Sequence, residues 1–217
     1  MRYTIKTAEA ADFSKAEVAH IDCYKWTSGY SPRAEARLLF IPKTGFALEM
    51  KAYESDPKTV YKQYNDPVYK DSCLEFFVSF APDSGKYMNF EMNSAGAFLS
   101  AVRASRSDKT PIDKLAPLPH VTAEKGDGCW CVRVVFTLDF IEKTFGRKDF
   151  ATGDIIKGNF YKCGDDTEYP HFGMWSPVEL PAPDFHRPEF FGELVIEYPL
   201  TKQKRFRPYP TAETLFY

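Results

Sequence analysis

Glu75 and Glu91 are the first side chains in this 217-residue chain whose type and spacing could do chemistry. Each sits in a segment that alternates apolar and polar residues. Leu74, Phe76 and Val78 oppose Glu75, Phe77 and Ser79; then Met88, Phe90 and Met92 oppose Tyr87, Asn89, Glu91 and Asn93. The turn Pro82-Asp83-Ser84-Gly85 joins the two segments as a hairpin, so both carboxylates could share one sheet face. Two carboxylates placed that way could hydrogen bond sugar hydroxyls, or serve as general acid and base in a glycoside hydrolase. The plainer reading is two ordinary charges on a solvated face, and alternation alone favours it, since exposed glutamates are common.

The C-terminal third holds a second concentration of candidates. Asn159-Phe160-Tyr161-Lys162-Cys163-Gly164-Asp165-Asp166 leads into a connection from Pro170 to Phe191 that contains Trp175, Phe185 and His186. A loop so rich in aromatics and prolines is costly to order unless it packs or binds something. Its aromatic faces could stack on the C–H side of a sugar, or simply pin the loop to the core. Asp165, Asp166 and Glu168 could offer calcium hard oxygen ligands, but no EF-hand spacing supports this and a solvated turn is the plainer reading. No cofactor is expected. The histidines His20, His120, His171 and His186 lack ligand spacing, and no phosphate loop, dinucleotide fingerprint, zincin helix or nucleophile elbow is present. Five scattered cysteines predict reduced, mostly buried thiols.

The elements that must position these residues read as strands. Arg37–Ile41 and Phe46–Tyr53 flank the turn at Pro42–Gly45 as a hairpin, Trp130–Phe136 alternates, and Asn159–Cys163 and Gly192–Tyr198 supply later strands. One helix is predicted over Leu138–Phe145, with Thr137 as N-cap and Gly146 just past its end. Short strands without crossover helices predict an all-β fold: an antiparallel β-sandwich, immunoglobulin-like or jelly-roll-like, with one short helix. A single domain is expected across residues 1–217, with a proline-containing basic tail from about 199 that holds Lys202, Lys204, Arg205 and Arg207. Aromatic residues make up 16% of the chain, enough both to fill a sheet core and to supply sugar-stacking faces. A net charge of −2 argues against nucleic acid as a partner, and no apolar run is long enough for a membrane helix. Met1–Phe13 lacks the apolar stretch of a secretory signal, so the expected compartment is cytoplasmic, or extracellular if an export signal is missing from this chain.

Three blocks in order then resemble the family-nine carbohydrate-binding modules. They are Asp71-Ser72-Cys73-Leu74-Glu75-Phe76-Phe77, the paired strand Tyr87–Asn93, and Trp175-Ser176-Pro177 followed by Phe185-His186-Arg187-Pro188-Glu189-Phe190-Phe191-Gly192-Glu193-Leu194. With Asn159-Phe160-Tyr161, the resemblance spans about Arg37 to Tyr198. It implies a β-sandwich that binds carbohydrate without cleaving it, as accessory modules of xylanases and other polysaccharide-degrading enzymes do. By position, Glu75 matches the family's sugar-binding glutamate, Glu91 stands where characterised binders have arginine, and Lys162 where they have glutamine. Phe185 takes the place of one clamping tryptophan, and Val68-Tyr69 lies where the other belongs. The implied ligand lies across a sheet face and the Trp175–Phe191 loop. It stacks on Phe185 or Tyr69 and is hydrogen bonded by Glu75, Glu91 and Lys162, with Trp175 and His186 in the same loop. The alternatives are a glycoside hydrolase using Glu75 and Glu91, or a sandwich domain whose aromatic loop contacts another protein. Oligomeric state is left open.

Overall fold

The computed structural model describes residues 1–27 and 29–197, and the basic tail expected from about 199 lies outside them. In chain order the strands begin with β1 (Arg2–Thr7), β2 (Ala19–Ile21), β3 (Cys23–Lys25), β4 (Ala34–Ile41) and β5 (Gly45–Ala52). They continue with β6 (Cys73–Ser79), β7 (Tyr87–Asn93), β8 (Phe98–Arg103), β9 (Lys109–Pro111), β10 (Val121–Gly126) and β11 (Cys129–Thr137). The helix α1 (Leu138–Phe145) precedes β12 (Ile155–Cys163), β13 (Phe172–Met174) and β14 (Gly192–Ile196).

Alternation sets the register of the first sheet. Leu48 on β5 lies opposite both Leu38 on β4 and Val134 on β11, so one apolar row runs across three strands. This sheet has the order β10-β11-β5-β4, with β2 on the outer edge of β4. The second sheet runs β14-β12-β6-β7-β8-β9, with β13 bridging β12 and β3. Between them β1 pairs with β14 on one side and β4 on the other, joining the two sheets. Both of these pairings are parallel, whereas the other pairings among the described strands are antiparallel, so the antiparallel β-sandwich expected from sequence holds with a parallel seam at β1. Parallel neighbours need a long crossover, which the segments leading from β1 to β4 and back to β14 provide.

Leu38, Met50, Val134 and Phe136 from the first sheet meet Leu74, Phe76, Phe90 and Phe160 from the second in the main core. Phe76 stacks on Phe160 with centroids 5.0 Å apart, and Phe90 meets Phe136 edge to face at 5.0 Å. Much of the aromatic content is therefore core. The helix closes one end of this core with Phe140 and Ile141. Thr137 Oγ1 accepts from the Phe140 amide at 3.1 Å, and Gly146 takes the left-handed conformation (φ 74°) that ends the helix.

The other face of the second sheet is buried too. Cys73, Phe77, Tyr87, Tyr161, Met174, Val178, Phe185 and Phe191 form a second apolar cluster, roofed by the 53–72 and 164–191 connections. Asp71 pins the first of these, its Oδ2 accepting from the Val60 and Tyr61 amides at 2.9 and 3.0 Å and from Asn93 Nδ2 at 2.9 Å. The two connections hold one another: the Asp165 amide donates to the Tyr69 carbonyl at 3.0 Å, and Lys70 pairs with Asp166 at 3.2 Å. A roofed sheet needs no polar outer face, which is why β6 and β7 are buried along their whole length.

Candidate functional site

Cross-strand register places Glu75 on β6 directly opposite Glu91 on β7, and Tyr161 on β12 opposite Glu75 on its other side. The two carboxylates are only 3% and 4% exposed, which overturns the reading of a solvated sheet face. They stand at the bottom of a pocket of about 620 Å³, between β6, β7, β8 and the two roofing connections. That volume falls within the ~300–1,000 Å³ typical of small-molecule sites.

The pocket has an acidic floor and a basic rim. Glu91 Oε1 accepts from Asn89 Nδ2 at 2.9 Å, and Asn89 Oδ1 accepts from Arg103 Nε at 2.6 Å. Glu91 Oε2 has no hydrogen-bond partner among the described residues. Glu75 Oε1 accepts from the Cys163 thiol at 2.9 Å. Burial pushes the Glu91 carboxyl up to about 7. Burial and then the charge of Glu91 lift Glu75 well above the usual carboxylate range. Asp165 is raised to about 6 by burial and by Asp166 beside it. Above this floor Arg103, Arg106 and Lys109 line one side, with Arg106 held by Asp184 at 2.8 Å. Acids raised toward neutrality by burial can donate to a ligand hydroxyl in their protonated form as well as accept from one in their ionised form, so the floor suits polyhydroxylated molecules.

The opposite wall is aromatic. Phe185 stacks on Tyr161 at 4.0 Å with planes 11° apart and lines the pocket beside Phe172, with 9% of its surface exposed. Tyr69, half-buried on the 3-10 turn Val68–Lys70, completes that side. His186 lies against Phe77 at 5.0 Å, and its Nδ1 is 3.0 Å from the Tyr87 hydroxyl. Burial, then Arg103 and Arg106, depress its imidazole to about 4, so it stays neutral at ordinary pH.

Five of the seven residues singled out from sequence thus line one pocket: Tyr69, Glu75, Glu91, Phe185 and His186. The other two lie elsewhere and are corrections. Lys162 pairs with Leu74, not Glu75, so alternation turns it to the opposite face of β12. There it is fully buried, donating to Ser72 Oγ and the Cys163 carbonyl at 3.0 Å, 2.6 Å from His171 Nε2 and 3.4 Å from Glu54 Oε2. Trp175 is a core residue, edge-on to Tyr3 at 6.3 Å and Phe160 at 5.7 Å. A Cβ on Gly192 would come within 2.4 Å of its ring, so only glycine fits beside it.

Sequence reading missed Arg103, Asn89, Cys163 and Trp26. Asn89 shares the polar phase of β7 with Glu91, a signal that was available; Arg103 lies on β8, whose register with β7 only the fold reveals. Trp26 backs Phe172 and Phe185 at 6.4 and 6.5 Å and donates from Nε1 to the Leu180 carbonyl at 3.1 Å. Its φ of 53° is a conformation that a bulky residue adopts only when its surroundings fix it. Of the acidic trio weighed for calcium, Asp165 lines the pocket while Asp166 is taken up by Lys70 and, through its carbonyl, by Lys58 at 2.7 Å.

The sequence profile of carbohydrate-binding family 9 matches residues 6–196. The chain belongs to carbohydrate-binding family 9. A Bacteroides uniformis protein described as a "putative carbohydrate-binding protein" has a similar structure, with a TM-score of 0.76 and 27% identity over 90% of this chain and 99% of its own. A family 9 module from Caldicellulosiruptor kristjanssonii in complex with cellotriose gives 0.60 and 12%, covering 94% of this chain and 97% of its own. A family 9 module from the same organism in complex with glucose gives 0.64 and 14%, covering 94% and 100%. At those identities the two Caldicellulosiruptor structures establish the family 9 fold alone. No curated protein matches the chain.

Proposed function

We propose that this family 9 domain is a non-catalytic carbohydrate-binding module that takes a sugar unit into the pocket floored by Glu75 and Glu91. The observation that carries the reading is Glu91 Oε2, a buried carboxylate oxygen without a partner at the bottom of that pocket. Leaving such an atom unpaired costs about 1–3 kcal/mol, a cost that a bound hydroxyl removes. Apolar ring faces on one side and polar groups on the other match the two-sided character of a pyranose. The sugar lies against Tyr69 and the free surface of Phe185, with hydroxyls directed to Glu75, Glu91 and Arg103. Membership of the family and the sugar complexes of its relatives support the same reading.

Glycan-array screening followed by calorimetric titration tests it. We expect binding to plant-derived oligosaccharides, abolished in Phe185→Ala with the fold retained. Silence across every glycan on the array overturns it. The same oligosaccharides, analysed for cleavage after incubation, test the hydrolase alternative. Release of reducing ends that depends on Glu75 and Glu91 would make the pair catalytic. We expect none, since the two acids share one buried floor instead of flanking a bond between them. The place of such a module in polysaccharide breakdown, including xylan, belongs to this proposal.

A further inference from the structure

Beneath the pocket lie two thiols that sugar binding does not use, beside the Glu75 carboxylate that it does. Cys73 on β6 and Cys163 on β12 are directly opposite in register, and Glu75 follows Cys73 by two residues on the same face. The two sulfurs and a carboxylate oxygen all lie within 4.8 Å of one another. We propose that Cys73, Cys163 and Glu75 form a site for a thiophilic divalent cation, zinc by preference.

The geometry suits that ion. A tetrahedral zinc holds its ligands about 3.5–4 Å apart, so modest rotations of three side chains would close the shell. Cys163 Sγ is already 2.9 Å from Glu75 Oε1. Two thiols and one carboxylate favour zinc over calcium or magnesium, whose shells are all oxygen. Three protein ligands leave a fourth position, and it opens on the pocket, because Cys163 and Glu75 both line it. The pocket also gives the ion a way in, although Cys73 itself is wholly buried. On binding, the two S–H bonds and the Glu75 O–H bond break, two zinc–sulfur bonds and one zinc–oxygen bond form, and the three protons pass to solvent, with no change of oxidation state. Glu91, across from Glu75, places its unpartnered oxygen beside this arrangement.

The cation also resolves an electrostatic mismatch. Glu75 and Glu91, both buried, share one wall with half-buried Asp165, and among the described residues no lysine or arginine is hydrogen bonded to Glu75. Buried Lys162 is on the other face of β12, engaged with Glu54, and buried Arg103 is held by Asn89.

The test uses the full chain, reduced and free of glycan, titrated with cobalt(II) as a spectroscopic stand-in. We expect one cobalt per chain and a thiolate-to-cobalt charge-transfer band, displaced by one equivalent of zinc. Cys23, Cys129 and Cys131 are the remaining thiols, and all are part-exposed. Their joint replacement by serine keeps the band if Cys73 and Cys163 are the ligands. Cys163→Ser should weaken zinc by more than the roughly 10–100-fold typical of losing a group behind a ligand. Cobalt binding without the charge-transfer band, or loss of the band in the triple variant with its fold intact, overturns the site. So does a reduced wild-type chain that takes up no metal. Because no sugar is present, failure here leaves the carbohydrate reading untouched, and failure on the glycan array leaves this one.

Discussion

Glu91 stands directly across from Glu75 on neighbouring strands, and among the described residues neither carboxylate has a lysine or arginine as its hydrogen-bond partner. Two acids brought together out of water repel unless a proton or a cation lies between them. The fold holds this arrangement through the β6–β7 ladder and the roofing loops, and the hydrogen-bonding capacity left over faces the pocket.

Glu91→Gln should therefore separate stability from binding. It removes the ionisable group while keeping the bond from Asn89, so the thermal midpoint should stay level or rise by a few degrees. Glycan affinity should fall by about tenfold, the equivalent of one lost hydrogen bond. Parallel thermal melts and calorimetric titrations check both. A drop in both would mean that the pair holds the fold together.

Phe185→Ala and Trp175→Phe should have opposite signatures. Phe185 lines the pocket, so its loss should abolish measurable glycan binding, and its roofing-loop position should keep the stability loss below the ~3–5 kcal/mol of a fully buried aromatic. Trp175 touches Tyr3, Phe160 and Gly192 in the core. Its truncation should cost about 1–3 kcal/mol and leave affinity unchanged. Urea unfolding beside titration tells the two apart.

Lys162→Met should destabilise by about 3–5 kcal/mol, since it strands Glu54 without its buried cation. Adding Glu54→Gln should recover much of that loss. A double-mutant cycle of urea midpoints measures the coupling. If the two single losses simply add, the pair is not acting as one unit.

His171 should subtract from stability in mild acid, beside a like loss at His186 and against the gain from the raised acids Glu75, Glu91 and Asp165. Burial, and then Lys162, depress the His171 imidazole from 6.5 to about 4. Above about pH 6.5 both folded and unfolded chains hold it neutral, so its contribution is complete. Between 6.5 and 4 the unfolded chain takes up a proton that the folded one refuses, and stability falls as pH drops. The loss at full extent is about 3 kcal/mol for one imidazole. The difference in urea midpoint between wild type and His171→Gln, followed from pH 7 to 4.5, isolates this contribution and should change steadily as pH falls.

Much of this was legible in the residues. The β4–β5 and β6–β7 hairpins follow from alternation with turn chemistry between, and α1 from a capping threonine and a terminal glycine. What alternation could not show was that the polar phase of β6 and β7 is roofed. Period two says which side chains point together, not whether a distant loop covers them. The same limit explains Lys162: it neighbours Tyr161 in sequence but faces the other way. The resemblance to family 9 carried Glu75 and Phe185 to the pocket. Trp175, in the same loop, belongs to the core because its ring fills the space that Gly192 leaves. Arg103 stayed hidden because its strand pairs with β7 through a register that no local pattern encodes.

The seam at β1 has a consequence for how the chain comes to be folded. Arg2–Ile5 pairs with Glu193–Ile196, partners roughly 190 positions apart, while most other ladders join near neighbours in sequence. On the ribosome β4, β5 and β11 can assemble early, yet the first strand made must wait for the last described one before it is gripped on both sides. Until then the edges of both sheets stand open to other chains. Crowded synthesis should make this protein most vulnerable to misassociation in that interval, and amide exchange should find the seam opening before either sheet.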